Sequence, residues 1–388
     1  MLTISDVELL RSEELRIAIE ENIDRDPQRV ALDKRVPHSS LVATQIKYLQ
    51  RARKKLPHLY EVRCIIPPRA FEQSSSMDSA ERKGISGDKL LDLSCGLGID
   101  AMAAARNFRR VVAVERDEVL AEVVRYNLTL LGVDNVEVIT GSAEEYVATT
   151  EEHFDWIFVD PDRRSSEGKK MVRMEDCSPN VIDMMPRLES IASRIAIKLS
   201  PLFDVDEALR LFPNSEVEVV SMSGECKELN IYTHAESSVV RVAIVGLGEW
   251  SFAAEDINIP ASSQDFDATR WRYLIVPDVA IQKARVAMAA FGEYASMWSN
   301  NGFAFAEDIP EGIIPGRVYQ IEDIEYYRPK ELKRRMKGLG VEILKRDTRL
   351  SVDEVRKAIG AKSGDVHMLA ITTIDRDNWV IHIKPMFL

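Results

Sequence analysis

Cysteine is scarce: four in 388 residues, Cys64, Cys95, Cys177 and Cys226, far apart and without a C-x-x-C pair. That spacing excludes a disulfide framework and a cysteine-ligated zinc site, so no metal is expected, and it fits a reducing compartment. No run of about eighteen apolar residues occurs anywhere, which leaves no membrane span to expect. The N-terminus, MLTISDVELLRSEELR, carries acids early and has no apolar core of its own. It reads as a helix start and not as a signal peptide, so a cytoplasmic location is expected. Positive charge is also short, with 51 Lys and Arg against 63 Asp and Glu and a net charge of −12. Binding of nucleic acid by bulk electrostatics is thereby excluded, and only local basic patches could serve.

What the chain does have is length for two or three cores. Residues 1–80 read as a helical domain. Ser5 or Asp6 is placed to cap the first helix, and Leu41 to Leu56 carries apolar residues at helical spacing with a basic C-terminal half. From 81 to 250, apolar strands alternate with amphipathic helices, predicting a Rossmann-like, doubly wound α/β sheet of seven strands: Leu90–Leu93, Val111–Glu115, Val136–Thr140, Trp156–Asp160, Ile195–Leu199, Val217–Ser221 and Val239–Val245. Residues 265–388 read as an α+β domain, ferredoxin-like or THUMP-like, closing on a hairpin turned by Arg376-Asp377-Asn378. The stretch Ala70 to Ile85 between the helices and the first strand is rich in hydroxyls. It reads equally as a capped linker, with Ser76 or Asp78 as the cap, and as a segment folding back over a ligand site.

The organising stretch is Lys89 to Asp100, KLLDLSCGLGID. Leu90, Leu91 and Leu93 make a strand buried on both faces, which breaks at a glycine turn and runs into a helix of small residues. Ligands of such sheets lie beyond the carboxyl ends of the strands. Asp92, Gly96, Gly98, Glu115, Gly141-Ser142-Ala143, Asp160 and Lys198-Leu199-Ser200-Pro201 all fall at such ends. Gly96-x-Gly98-x-x-Ala101, with Glu115 about twenty residues on, also satisfies the dinucleotide fingerprint, so a nicotinamide or flavin is one reading.

Asp92-x-Ser94-x-Gly96-x-Gly98 resembles the first motif of class I S-adenosylmethionine (SAM) methyltransferases. Asp160-Pro161 at the end of the fourth strand resembles the Asp-Pro of amine-methylating members. Together with EQSSS, LDLSCGLGIDA, VDPDRR, IKLSPLFD and GECKELN, spread over residues 70–235, these motifs resemble a bacterial family of class I SAM methyltransferases with a C-terminal THUMP-like domain. The resemblance implies SAM as cofactor, held by Ser75, Asp92, Ser94, Gly96, Gly98, Asp100, Glu115, Arg116, Ser142, Ala143 and Asp160. Within that set Glu115 is expected to accept bonds from the ribose hydroxyls. Ser142 stands where many relatives carry an acid for the adenine amine. The catalytic residues it implies are Asp160, Pro161, Arg163 and Arg164. Asp160 would accept hydrogens from an exocyclic amine, leaving the lone pair free. Asp162 and Arg163 stand where the usual motif has Pro-aromatic, with Arg164 following, and the arginines either stack on or clamp the substrate, or brace the loop against Glu175 or Asp176.

The resemblance also implies an RNA substrate. Arg328, Lys330, Lys333, Arg334, Arg335 and Lys337 on one predicted helix, with Lys345, Arg346 and Arg349 after it, form a candidate phosphate-binding stripe or a solvated face. A protein or small-molecule acceptor, and an RNA-binding module with a vestigial methyltransferase domain, are the alternative readings. Oligomeric state is not legible from the sequence.

Overall fold

The structure is a computed structural model that describes residues 2–162, 174 and 177–386. Arg163, Arg164, Glu175 and Asp176 lie outside the described residues. The chain forms two compact units, Met1–Lys198 and Leu199–Leu388.

In the first unit, residues 4–81 are helical, as the sequence indicates. The opening helix, Ile4–Arg11, is capped by Thr3 rather than by Ser5 or Asp6. Thr3 Oγ1 accepts from the Asp6 amide, and the Asp6 carboxylate accepts in return from the Thr3 amide, satisfying two N–H groups that the helix leaves bare. The long helix Ser39–Lys55 turns Val42, Ile46, Leu49 and Ala52 inward at helical spacing. Asn127 of helix Glu118–Leu131 holds the segment that follows these helices: its side chain accepts from the Ile65 amide and donates to the Ile65 carbonyl, both at 2.9 Å.

The strands of this unit are β1 (Gly87–Asp92), β2 (Phe108–Glu115), β3 (Val136–Thr140), β4 (Phe154–Val159) and β5 (Ala192–Leu199). They are parallel, in the order β3-β2-β1-β4-β5. Buried on both faces, β1 is apolar at Leu90 and Leu91, and its one charged interior residue is Asp92. Strand order reverses between β1 and β4, and a crevice opens at such a switch point beyond the strand ends.

The second unit begins with β6 (Glu216–Met222), β7 (Glu225–Tyr232), β8 (Val239–Ile244) and β9 (Gly248–Ala253), in the order β7-β6-β8-β9. The doubly wound sheet therefore counts nine strands, not seven. The two unforeseen strands, β7 and β9, each follow a tight turn at a residue with positive φ, Gly224 and Gly246. Polar positions such as Glu228 and Asn230 in β7 are buried here, which masked the apolar alternation.

The C-terminal sheet holds β10 (Tyr273–Pro277), β11 (Ala304–Ala306), β12 (Gly316–Tyr326), β13 (Gly340–Lys345), β14 (Lys362–Ile374) and β15 (Asp377–Pro385), in the order β11-β10-β12-β15-β14-β13. From β12 onward, with helices Pro329–Met336 and Val352–Ile359, the chain runs βαβαββ. A ferredoxin-like domain would run βαββαβ, so the THUMP-like part of the expectation is the one that fits. One face of this sheet packs Trp271, Phe303, Phe305 and Trp379, and the other packs Leu332, Met336, Val341 and Ile359. The closing hairpin turns at Asp375 and Arg376, both with positive φ, one residue earlier than the sequence suggested. No helix among the described residues is long and apolar enough to cross a membrane.

Candidate active site

β1 ends in a turn that only glycine makes cheaply, with φ of 56° at Gly96 and 80° at Gly98. The Gly98 amide donates to the Cys95 carbonyl at 2.8 Å, and helix Ile99–Ala104 starts from Gly98 without a side-chain cap. A Cβ on Gly98 would stand 2.9 Å from Val124 Cγ1. We expect Gly98→Ala to destabilise the fold by about 1–2 kcal/mol, read by thermal unfolding, from left-handed backbone strain and this overlap together.

Around the turn the structure brings together Asp92, Ser94, Gly96, Asp100, Glu115 and Asp160. Asp92 is buried; its Oδ1 accepts from the Ser94 amide at 3.1 Å, while Oδ2 has no hydrogen-bond partner among the described residues. Burial, reinforced by the nearby Asp100 carboxylate, pushes the Asp92 carboxyl up to about 8. Glu115, at the end of β2, accepts from the Gly96 amide at 2.8 Å and from the Asp117 amide at 2.9 Å. Its carboxylate thus braces the turn from the neighbouring strand. Burial raises its pKa and the two amides draw it back.

Asp160 and Pro161 come directly after β4. The Asp160 amide donates to Ser94 Oγ at 2.7 Å, which joins the two strand ends across the switch point. Lys198 near the end of β5 donates to Asp160 Oδ2 at 2.5 Å and to Ser75 Oγ at 3.0 Å. Ser75 in turn donates to Asp100 Oδ2 at 2.8 Å, and Lys83 donates to Asp100 Oδ1 at 2.7 Å. Burial opposes ionisation of Asp100, but Lys83 and Lys198 outweigh it and hold the carboxyl at about 2. In the hydroxyl-rich segment Ser76 caps helix Met77–Glu81, as the linker reading expects, and Ser75 bonds Asp100.

Other expected residues are placed differently. Ser142 caps helix Ala143–Thr149, its Oγ accepting from the Glu145 amide at 3.1 Å, and Ala143 is buried behind it. Arg116 is exposed and donates to Ser178 Oγ at 3.2 Å. Asp162 pairs through its backbone with Ser178, and Arg69 stands 3.9 Å from its carboxylate. Arg163 and Arg164 fall outside the described residues.

Lys83 was not foreseen, and Lys198 was noticed at a strand end without a role. The available signal was a lysine inside the apolar run RIAIKL, because a charge in a buried strand needs a partner. Cys95 is buried within the turn and its thiol is pushed well up by burial.

In the C-terminal unit, Lys333, Arg334 and Lys337 of the expected stripe are exposed, whereas Arg335 pairs with Glu325. Lys345 donates to the Leu350 carbonyl and Arg346 to Gln282, whereas Arg349 is exposed. Exposed Tyr326 stacks on Trp379 with centroids 4.1 Å apart.

Comparison with known proteins agrees with this architecture. Residues 316–385 match the family described as THUMP domain-like, and residues 73–175 match the family described as Conserved hypothetical protein 95. A solved structure described as a candidate methyltransferase from Porphyromonas gingivalis W83 superposes with a TM-score of 0.82 at 26% identity, covering 97% of this chain and 99% of that one. A tRNA/tmRNA (uracil-C(5))-methyltransferase of Shigella flexneri serotype 5b is 33% identical over 145 residues, 31% of this chain and 39% of its own length. The same enzyme of Photorhabdus laumondii is 34% identical over an equal span. The chain thus spans about 39% of the length of these curated relatives. The resemblance to class I methyltransferases carrying a THUMP-like C-terminal domain is borne out.

Proposed function

We propose that the chain is a SAM-dependent N-methyltransferase acting on an exocyclic base amine of RNA. The observation that carries this reading is the pair of adjoining strand ends: a glycine cradle after β1 and an Asp160-Pro161 corner after β4, tied by the Ser94 hydrogen bond.

The residues fit the cofactor. Asp92 presents a buried carboxyl oxygen with no partner among the described residues, a feature that a bound ammonium group would satisfy. Gly96 and Gly98 bring bare backbone to the site. Each Glu115 oxygen already accepts one amide bond and keeps a second lone pair for a ribose hydroxyl. When bound, SAM supplies an electrophilic methyl group on a sulfonium. The chain's own part is to orient an amine nitrogen toward that methyl and to exclude water. Asp160 would accept an amine hydrogen bond and afterwards the proton released as nitrogen is alkylated, and buried Pro161 fixes the corner in which it does so. Arg163 and Arg164 belong to the proposed substrate side, Ser142 and Ala143 to the adenine side, and Arg116 to the cofactor side.

Glu115→Ala is expected to weaken SAM binding by roughly 10- to 100-fold, the value of charge-assisted hydrogen bonds. Calorimetry with SAM checks it, and an affinity equal to the parent's would contradict the ribose role.

RNA as the substrate is supported by the named activity of the curated relatives, by the THUMP-like match and by the basic face of helix Pro329–Met336. Those relatives methylate carbon C5 of uracil, which gives a second reading. That carbon is a poor nucleophile until a thiolate adds to the ring. Cys64 and Cys95 are buried with thiols pushed up, Cys64 to about 12, and neither suits that task. Cys177 is half-buried and adjoins Ser178, the backbone partner of Asp162. Cys177→Ser separates the readings: amine methylation predicts turnover within about threefold of the parent, and C5 methylation predicts a loss of roughly 10³-fold or more.

A further inference from the structure

Four separated stretches of sequence meet in one line of hydrogen bonds. Asp100 lies just past the glycine turn, Ser75 comes from the segment before β1, Lys198 from β5, and Asp160 from the end of β4. Two acids and two lysines alternate along it, with Lys83 on Asp100 and Lys198 on Asp160. Lys83 bonds Asp100 directly, whereas Lys198 reaches Asp100 only through Ser75 and makes its direct ion pair with Asp160.

The arrangement is costly unless it serves a purpose. Lys198 is only 13% exposed and lies near the end of a strand whose other inward residues are apolar. Stripping an ammonium of water is tolerated where a carboxylate and further hydrogen bonds replace the water. Here two contacts converge on one residue: the Asp160 amide donates to Ser94 Oγ, and Lys198 donates to the Asp160 Oδ2. With one oxygen gripped, the carboxylate cannot rotate freely, and its remaining lone pairs keep one direction.

We propose that Lys198 is a positioning residue for Asp160, holding that carboxylate in one orientation and in the ionised form that takes the proton of the acceptor amine. This rests on the amine-methylation reading. In the transfer the amine lone pair forms the N–C bond, the C–S bonding pair leaves with sulfur, and the amine proton passes to Asp160, which returns it to water. Lys198 gains and loses nothing in that step. Its effect is on the readiness of Asp160, whose pKa burial raises and the ammonium pulls down.

The test uses the full-length chain, radiolabelled SAM, and total RNA from cells lacking the protein. Lys198→Met is expected to leave SAM affinity within about twofold and the KM for RNA within about threefold, while kcat falls roughly 100-fold, as befits a group acting through a general base. The acid limb of the kcat profile should move up by about one pH unit, and Lys198→Arg should recover most of the rate. A carbon-13 titration of the Asp160 carboxyl, read without turnover, should show its pKa higher in Lys198→Met than in the parent. Parental kcat and pH profile in Lys198→Met, or an unmoved Asp160 titration, would overturn the proposal. If the parent binds SAM yet methylates no amine in RNA, the functional reading fails by itself, and the carboxyl titration still decides whether Lys198 governs Asp160. Should Lys198→Met not fold, Lys198→Gln carries the same comparisons.

Discussion

Asp160→Ala is expected to lower kcat by roughly 10³-fold, about 4 kcal/mol of barrier, while SAM affinity stays within about threefold. The separation comes from where the residue stands. Its backbone amide holds Ser94, a contact that alanine keeps, so the glycine turn should survive the change. Its carboxylate faces Lys198 and not the turn's amides, so the loss is that of the acceptor for the amine hydrogen. Asp160→Asn retains one acceptor oxygen but cannot take a proton, and it should fall between parent and alanine. Single-turnover kinetics with pre-bound SAM, beside calorimetry, measures the two quantities separately. A proportional loss of affinity and rate would instead make Asp160 part of the cofactor's seat.

The second large effect concerns Asp92 and pH. Its carboxyl sits in β1 between β2 and β4, raised to about 8 by burial first and then by Asp100, with Asp160 and Glu115 adding to the repulsion. In the unfolded chain it titrates near 3.8. Between those values the folded protein binds more protons than the unfolded one. Stability from this group is therefore fully present below about pH 4 and is lost as pH rises toward 8. Asp92→Asn, isosteric with the protonated acid, removes that dependence. It should flatten the pH–stability curve and raise stability at pH 8 by roughly 2 kcal/mol or more, taking less than the full linkage of the shift. Denaturant titration at pH 5 and pH 8 decides it, and equal pH slopes for parent and variant would contradict the buried proton. The same proton should be felt by the ligand. A cationic cofactor favours ionised Asp92, so binding should release a proton and tighten as pH rises from 6 to 8. In Asp92→Asn that trend disappears and affinity drops. Calorimetry in two buffers of different ionisation enthalpy counts the proton.

The elements that define the crevice were legible because their signals are local. A short apolar run, a glycine turn and a helix of small residues specify β1 and its passage into helix Ile99–Ala104, and an Asp-Pro closing another apolar run specifies the end of β4. Asp92, Ser94, Gly96 and Glu115 are drawn together by this topology alone. Contact across the sheet stayed hidden. Nothing near Lys198 in the chain indicates that it meets Ser75, 123 residues away, or that Lys83 balances Asp100. Strand β7 was missed because buried Glu228 and Asn230 break the alternation that reveals a strand. Ser142 stands at a plausible ligand position and is also an ordinary N-cap, two roles that look alike in a sequence.

The most direct measurement incubates the purified protein with methyl-labelled SAM and RNA from cells lacking it, then identifies the labelled nucleoside by mass spectrometry. A purine or cytosine methylated on its exocyclic nitrogen, absent with Asp160→Ala, is the expected product. Label in 5-methyluridine, or no transfer by a protein that binds SAM, would contradict it.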